Sequence, residues 1–263
     1  MNKDILRQFV VIVTFILTLT VNGLANALPI NGMGTGEISD MFQVFFVPAG
    51  YVFAIWGLIY LSLLGFTVYH ALPSQRENPR LRRVGYWFAL GNLANAAWIF
   101  LWHYLLIPLS LLAMLVLLGS LIFIFLRLEI GQRPAPNAAE KWLVNFPFSL
   151  YLGWITVATI ANVTDALYVL NWSGWGIAPE VWAVIMLGVA TLVAALMAFT
   201  RGDVTYLAVL VWAFAGIGVK QAGAPLVATS AWIAAGAVTA LAAAGWLRLR
   251  RMASSAGFYP ARG

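Results

Sequence analysis

The sequence predicts an all-α membrane protein, a polytopic bundle of eight transmembrane helices. Its 263 residues are 62% hydrophobic and only 9% charged, whereas a soluble domain carries about 25% charged residues. Eight apolar segments are long enough, or nearly so, to cross about 30 Å of hydrocarbon at about 1.5 Å per helical residue. These segments are residues 6–27, 48–71, 83–105, 107–128, 141–168, 179–200, 203–220 and 226–248.

The distribution of basic residues supports this helix count. With the N-terminus on the inner side of the membrane, fourteen of the fifteen Lys and Arg residues fall on the inner side, and Lys220 alone falls outside. Such a bias is the usual signature of membrane orientation, and an odd number of helices would destroy it. We therefore expect a multi-pass protein of the bacterial inner (cytoplasmic) membrane with both termini cytoplasmic. On this topology four acidic residues lie outside: Glu37, Asp40, Asp165 and Glu180.

The first segment allows a second interpretation. Lys3 and Arg7, followed by an apolar run and Ala25-Asn26-Ala27, resemble a signal peptide with a small-residue cleavage site. The length of the apolar run favours a retained first helix.

The composition excludes several kinds of site. The chain has no Cys, which excludes disulfides, thiolate metal ligands and cysteine nucleophiles. His70 and His103 are its two histidines, and the topology places them at opposite membrane faces, so we expect no metal site. His103 could alone serve as an axial haem ligand. The net charge of +6 is explained by the topology signal, so we expect no nucleic-acid partner.

The second segment carries a face of aromatic residues. Phe53, Trp56 and Tyr60 follow one another at i, i+3 and i+7, so on a helix all three project from one face. Pro48 suits the first turn of this helix, where its missing N–H costs nothing. An aromatic stripe of this kind can pack against neighbouring helices or line a binding site.

Two further segments place polar and aromatic residues at the same depth. Asn95 and Trp98 share a face of the third segment. An Asn in hydrocarbon needs partners, which either a neighbouring helix or a pocket can supply. Several amides and indoles at one depth favour a pocket with flat apolar walls and no fixed charge, suited to a large planar ligand. The fifth segment contributes Tyr151, Trp154, Ala158 and Asn162, again on one face.

These three motifs resemble those of the TspO/MBR family, the tryptophan-rich sensory proteins or translocator proteins. The resemblance implies a five-helix membrane unit with a pocket for porphyrins, haem-like tetrapyrroles or sterols. It also implies that the connection from Pro29 to Val47 covers that pocket. The family residues that line the pocket map onto Phe53, Trp56, Tyr60, Asn95, Trp98, Tyr151, Trp154, Ala158 and Asn162.

The resemblance covers about residues 1–172 and divides the chain. We expect residues 1–172 to form the five-helix unit with its ligand pocket. Residues 173–263 then form three additional transmembrane helices and a basic C-terminal tail. These helices are rich in Ala and Gly, which allow close helix packing, so they could serve as a scaffold or as a homodimer interface. In the family a Pro directly precedes the Tyr of the fifth helix, whereas here Pro147 lies one turn earlier.

The resemblance implies a ligand-binding or sensory membrane protein, a receptor whose partners are membrane lipid and a hydrophobic small molecule. An exporter or transporter of such ligands is the alternative, as is a structural membrane subunit with an aromatic core. Light-dependent porphyrin breakdown has been proposed for the family, and here it would involve Trp56 and Trp154. A haem or porphyrin is thus the cofactor to expect, if any.

Overall fold

The computed structural model describes residues 3–256, and the side chains of residues 3–247. Within that range the chain is helical and contains no strand. The predicted basic tail lies largely outside the described residues and side chains. We number the long helices α1 (Lys3–Ala27), α2 (Ile55–Ala71), α3 (Pro79–His103), α4 (Ile107–Arg127), α5 (Phe146–Val169), α6 (Pro179–Thr200), α7 (Val204–Lys220) and α8 (Pro225–Ala256).

The all-α bundle predicted from the sequence is confirmed, since each of the eight apolar segments overlaps one of these helices. Seven of the described helices are long and apolar enough to cross a membrane. The remaining long helix, α7, has 17 residues and is among the shortest, as the sequence indicated. The chain is therefore an integral multi-pass membrane protein.

Local sequence explains where two of the helices begin. The side chain of Asn78 accepts a hydrogen bond from the Arg80 backbone N–H, and Pro79 fills the first turn, so α3 begins four residues before the predicted position 83. A π-helical turn, Lys141–Asn145, directly precedes α5. Pro147 follows this turn, and because proline lacks an N–H, a wider turn accommodates it without breaking the helix.

Five helices form a closed ring. Neighbours around it are α1, α3, α4, α5 and α2, and α2 packs again on α1. The middle of the ring is filled by Phe66, Phe88 and Phe148, whose ring centroids lie 4.8 to 5.7 Å apart at steep angles. These three side chains are fully buried. The ring is therefore filled at the level of this cluster.

Helices α6 to α8 pack outside this ring. Helix α7 joins the two groups because it lies against α5, where a Cβ added at Gly153 would stand 3.0 Å from the Cβ of Val209. It also contacts the chain just before α2: the Gly216 carbonyl accepts a hydrogen bond from the Ala49 N–H at 3.1 Å. A Cβ at Gly216 would overlap the side chain of Val52, and one at Gly153 would crowd Val209, so the absence of a side chain allows both close approaches.

Charged residues concentrate at the end of the bundle where α1 begins, called here the N-terminal end. Arg80 at the start of α3 forms an ion pair with Glu140. The same guanidinium donates to the Leu128 carbonyl at 2.9 Å and to the Asn145 side chain at 3.0 Å. Arg80 therefore joins the start of α3 to the end of α4 and the turn before α5.

Candidate ligand-binding cavity under the loop

The opposite end of the ring is covered by residues 28–49, called here the loop. It contains a short helix, Thr35–Asp40, and its apolar side chains Ile38 and Phe46 are buried. The indole N–H of Trp102 donates to the Thr35 carbonyl at 3.2 Å. The loop is thus an ordered part of the fold that caps the ring, as the resemblance implies.

His103 holds the loop in place through both of its ring nitrogens. Nε2 lies 3.0 Å from the Thr35 hydroxyl oxygen, and Nδ1 lies 3.0 Å from the Ile30 carbonyl oxygen. The Asn31 side chain also donates to the His103 carbonyl at 3.0 Å. An iron atom could reach His103 only if one of these contacts broke, so its role here is to position the loop. Among the described residues no group of three His, Asp or Glu could hold a metal.

Two neighbouring cavities lie beneath the loop. The larger has a volume of about 190 Å³ and the smaller about 40 Å³. They share four lining residues, so the side chains of these residues form the partition between them: Thr35, Phe53, Trp56 and Trp98. Asn22, Asn26, Gly36, Tyr60 and Ile99 complete the larger cavity, while α5 supplies much of the wall of the smaller one.

Aromatic rings from α2 and α5 meet at these cavities. Trp56 and Trp154 pack edge to face with centroids 6.0 Å apart, and Phe53 contacts Trp154 in the same way at 5.7 Å. Tyr60 stacks on Trp56 at 5.4 Å. On α3, Trp98 stacks on Trp102 at 5.3 Å. The spacing seen in the sequence therefore places aromatic rings on three sides of one space.

The amide of Asn95 is engaged within the protein. Its oxygen accepts a hydrogen bond from the Asn22 amide at 2.7 Å, and its nitrogen donates to the Tyr151 hydroxyl at 2.7 Å. This buried chain ties α1, α3 and α5 together. Neither Asn95 nor Tyr151 is among the cavity-lining residues, so these two side chains lie outside the lining and support it.

The amide of Asn162 is also paired. Its oxygen accepts from the indole N–H of Trp98 at 3.0 Å, and its nitrogen donates to the Ser110 hydroxyl at 3.0 Å. These bonds orient Trp98 toward the cavity. Of the nine residues mapped from the sequence, seven line one or both cavities: Phe53, Trp56, Tyr60, Trp98, Trp154, Ala158 and Asn162.

The site also contains a buried carboxylate that was not among the predicted site residues. Asp165, assigned there to the outer side, is in α5 and lines the smaller cavity with only 1% of its surface exposed. Its Oδ1 has no hydrogen-bond partner, and neither has the indole nitrogen of Trp154. The sequence contained an indication of this position, because Asp165 follows Asn162 by three residues and therefore lies on the same helical face as that predicted site residue.

The loop is also held from outside the ring, at the end of α7. Lys220 forms an ion pair with Asp40 in the short loop helix. The Gln221 side chain donates to the Phe45 carbonyl at 3.1 Å. The end of α7 thus helps to hold the cover of the cavities, although no residue of α6, α7 or α8 lines them.

Comparison with known protein families agrees with this architecture. A family described as TSPO-like protein matches residues 8–244. The chain belongs to this family. The match to the TSPO-like family extends through α6, α7 and most of α8, beyond the part on which the resemblance in sequence rested. Comparisons with curated proteins and with solved structures find no match.

Proposed function

We propose that this TSPO-like protein binds a planar, mostly apolar small molecule of tetrapyrrole or sterol type beneath its loop, and acts as a ligand-binding or sensory protein. The observation that carries the proposal is the convergence of Trp56, Trp98 and Trp154 around two capped cavities. Indole faces offer large, rigid apolar area to a flat ligand. Residues 1–172 form the binding unit in this proposal, and the three later helices support it from outside.

The cavity volumes indicate how such a ligand would enter. Sites for small molecules usually enclose about 300–1,000 Å³, more than either cavity offers. Thr35 of the loop and Phe53 lie between the two spaces. A shift of the loop would join the cavities and enlarge them, so ligand binding and loop displacement are one event in this proposal.

Transport of the same ligand is the alternative function, and the packing of the ring weighs against it. The cavities lie at the loop end, and the Phe66, Phe88 and Phe148 cluster fills the ring beyond them. Passage through the ring would require this buried cluster to open. Binding and release at one end need only the loop to move.

Replacing Trp154 with Ala is expected to weaken binding of protoporphyrin by about 1–3 kcal/mol, or roughly five- to a hundred-fold. The change removes a buried indole that contacts both Phe53 and Trp56. Affinity is measured by quenching of tryptophan fluorescence in detergent micelles, with the fold of each variant checked by its melting temperature.

The matched control for this measurement is Trp246→Ala. Trp246 lies in the C-terminal half of α8, at the N-terminal end of the bundle, is 43% exposed and lines neither cavity. Its removal is expected to leave the affinity unchanged. Equal affinities for the two variants, or no binding by the parent protein, would contradict the proposed site.

We further propose that the N-terminal end faces the cytoplasm. The sequence places fourteen of fifteen basic residues there, a bias that matches the usual orientation of membrane proteins. Reporter fusions at Asn137 and at Gly263 are expected to score cytoplasmic, and a fusion at Gly174 to score outside. A fusion at Gly263 that scores outside would contradict both the orientation and the even number of crossings.

A further inference from the structure

The smaller cavity contains a carboxylate of which one oxygen has no hydrogen-bond partner in the protein. Asp165 lies in the last turns of α5, is 1% exposed, and its Oδ1 has no hydrogen-bond partner. A buried carboxylate oxygen is seldom left in this condition, because its lost hydration is not replaced. Each such oxygen calls for an explanation, and a ligand that supplies the missing partner is one.

The polar neighbours of Asp165 are engaged elsewhere. Lys220, a cation at the same end of the bundle, pairs with Asp40 in the loop. The Asn162 amide, one turn earlier on α5, donates to the Ser110 hydroxyl. A molecule in the cavity can supply the donor that these two side chains do not give to Asp165.

A second unpaired group in the same cavity has the opposite polarity. The indole N–H of Trp154, on the same helix, is buried and has no acceptor. Asp165 and Trp154 both line this cavity, so it presents one acceptor and one donor among apolar walls. Neither group is satisfied by a pure hydrocarbon surface.

We propose that Asp165 makes the cavity selective for flat apolar ligands that carry a protonated amine, or a similar nitrogen donor, at one edge. This inference rests on the proposed function and names the chemistry of its ligand. A nitrogen donor completes the hydrogen bonding of Asp165, and a positive charge also pairs with its carboxylate. A ligand edge that carries a carboxylate is disfavoured there, because two like charges would share one desolvated site.

Three pyrene probes of nearly equal shape test this selectivity. These are 1-pyrenemethylamine, 1-methylpyrene and 1-pyrenecarboxylic acid, which differ in one substituent. Binding is followed by energy transfer from tryptophan to pyrene in uncharged detergent micelles. The parent protein is expected to bind the amine at least about ten-fold more tightly than the methyl compound, and the acid more weakly than either.

Two variants test whether the preference for the amine probe comes from Asp165. In Asp165→Asn, which keeps the shape and removes the charge, the preference for the amine is expected to fall below about three-fold. Glu180→Gln is the matched control, because it removes one negative charge at the same end of the bundle from a residue that lines neither cavity. It is expected to keep the ten-fold preference.

The outcomes separate the two proposals. Binding of all three probes with equal affinity by the parent, or a preference that survives in Asp165→Asn, would overturn the role of Asp165 and leave the cavity as a site for flat ligands. Absence of binding by every probe would overturn the proposed function itself. The comparison of the three probes on the parent protein tests the selectivity even if a variant does not fold.

Discussion

Replacing Glu140 with Ala is expected to lower the free energy of unfolding by about 3–5 kcal/mol, the range found when one partner of a buried ion pair is removed. Glu140 is buried, pairs with Arg80 and accepts a hydrogen bond from the Asn78 side chain at 3.0 Å. Without it, the guanidinium of Arg80 is left with a charge that the surrounding carbonyl and amide oxygens do not neutralise. The measurement is unfolding by SDS titration in mixed micelles, followed by circular dichroism.

A matched control for this prediction is Glu77→Ala at the same end of the bundle. Glu77 is 83% exposed, and its oxygen lies 4.0 Å from the nearest guanidinium nitrogen of Arg82. Exposed pairs of this kind contribute between 0 and about 1 kcal/mol. A Glu140 variant no less stable than the Glu77 variant would show that the buried pair does not hold the ends of α3, α4 and α5 together.

Replacing Gly131 with Ala is expected to destabilise the protein by about 3 kcal/mol, from backbone strain and overpacking combined. Gly131 has a φ of +76°, a conformation that residues with a side chain rarely adopt. A Cβ added there would also overlap the backbone carbonyl oxygen of Arg201, which cannot move aside as a side chain can. The same SDS titration measures the loss.

Gly119→Ala on α4 serves as the control for this second substitution. A Cβ at Gly119 would meet nothing within 4 Å, so the change is expected to alter stability by no more than about 1 kcal/mol, in the stabilising direction. If the two alanine variants are equally stable, the backbone around residue 131 can change conformation without loss of stability, and the prediction is wrong.

The sequence could predict the helices and the faces that meet, because both follow from simple periodicities. Hydropathy located all eight segments, and spacings of three, four and seven residues showed which aromatic residues share one face of a helix. The end of each helix was harder to locate. Residue 83 was the expected start of α3, since the capping residue Asn78, five positions earlier, lies outside the apolar run.

The hydrogen-bond partners could not be predicted in the same way, because they depend on which helices become neighbours. Asn95 was expected to orient a ligand, yet its amide bonds to Asn22 and Tyr151. Asp165 was assigned to the outer side by its position in the predicted topology, and only its packing shows that it is buried. The basic residue Arg80 indicated orientation, whereas its contacts show that it also joins three helices.

The attachment of the loop to α7 has a consequence for biosynthesis. Lys220 and Asp40 are 180 positions apart, and Gln221 and Phe45 are 176 apart. At about 5–20 residues per second, the ribosome needs roughly 10 to 40 seconds to synthesise the chain between them. The contacts with Trp102 and His103 can form much sooner. A nascent chain therefore has its ring of helices and its binding residues before it can secure the cover above them, and only insertion of α7 completes that cover.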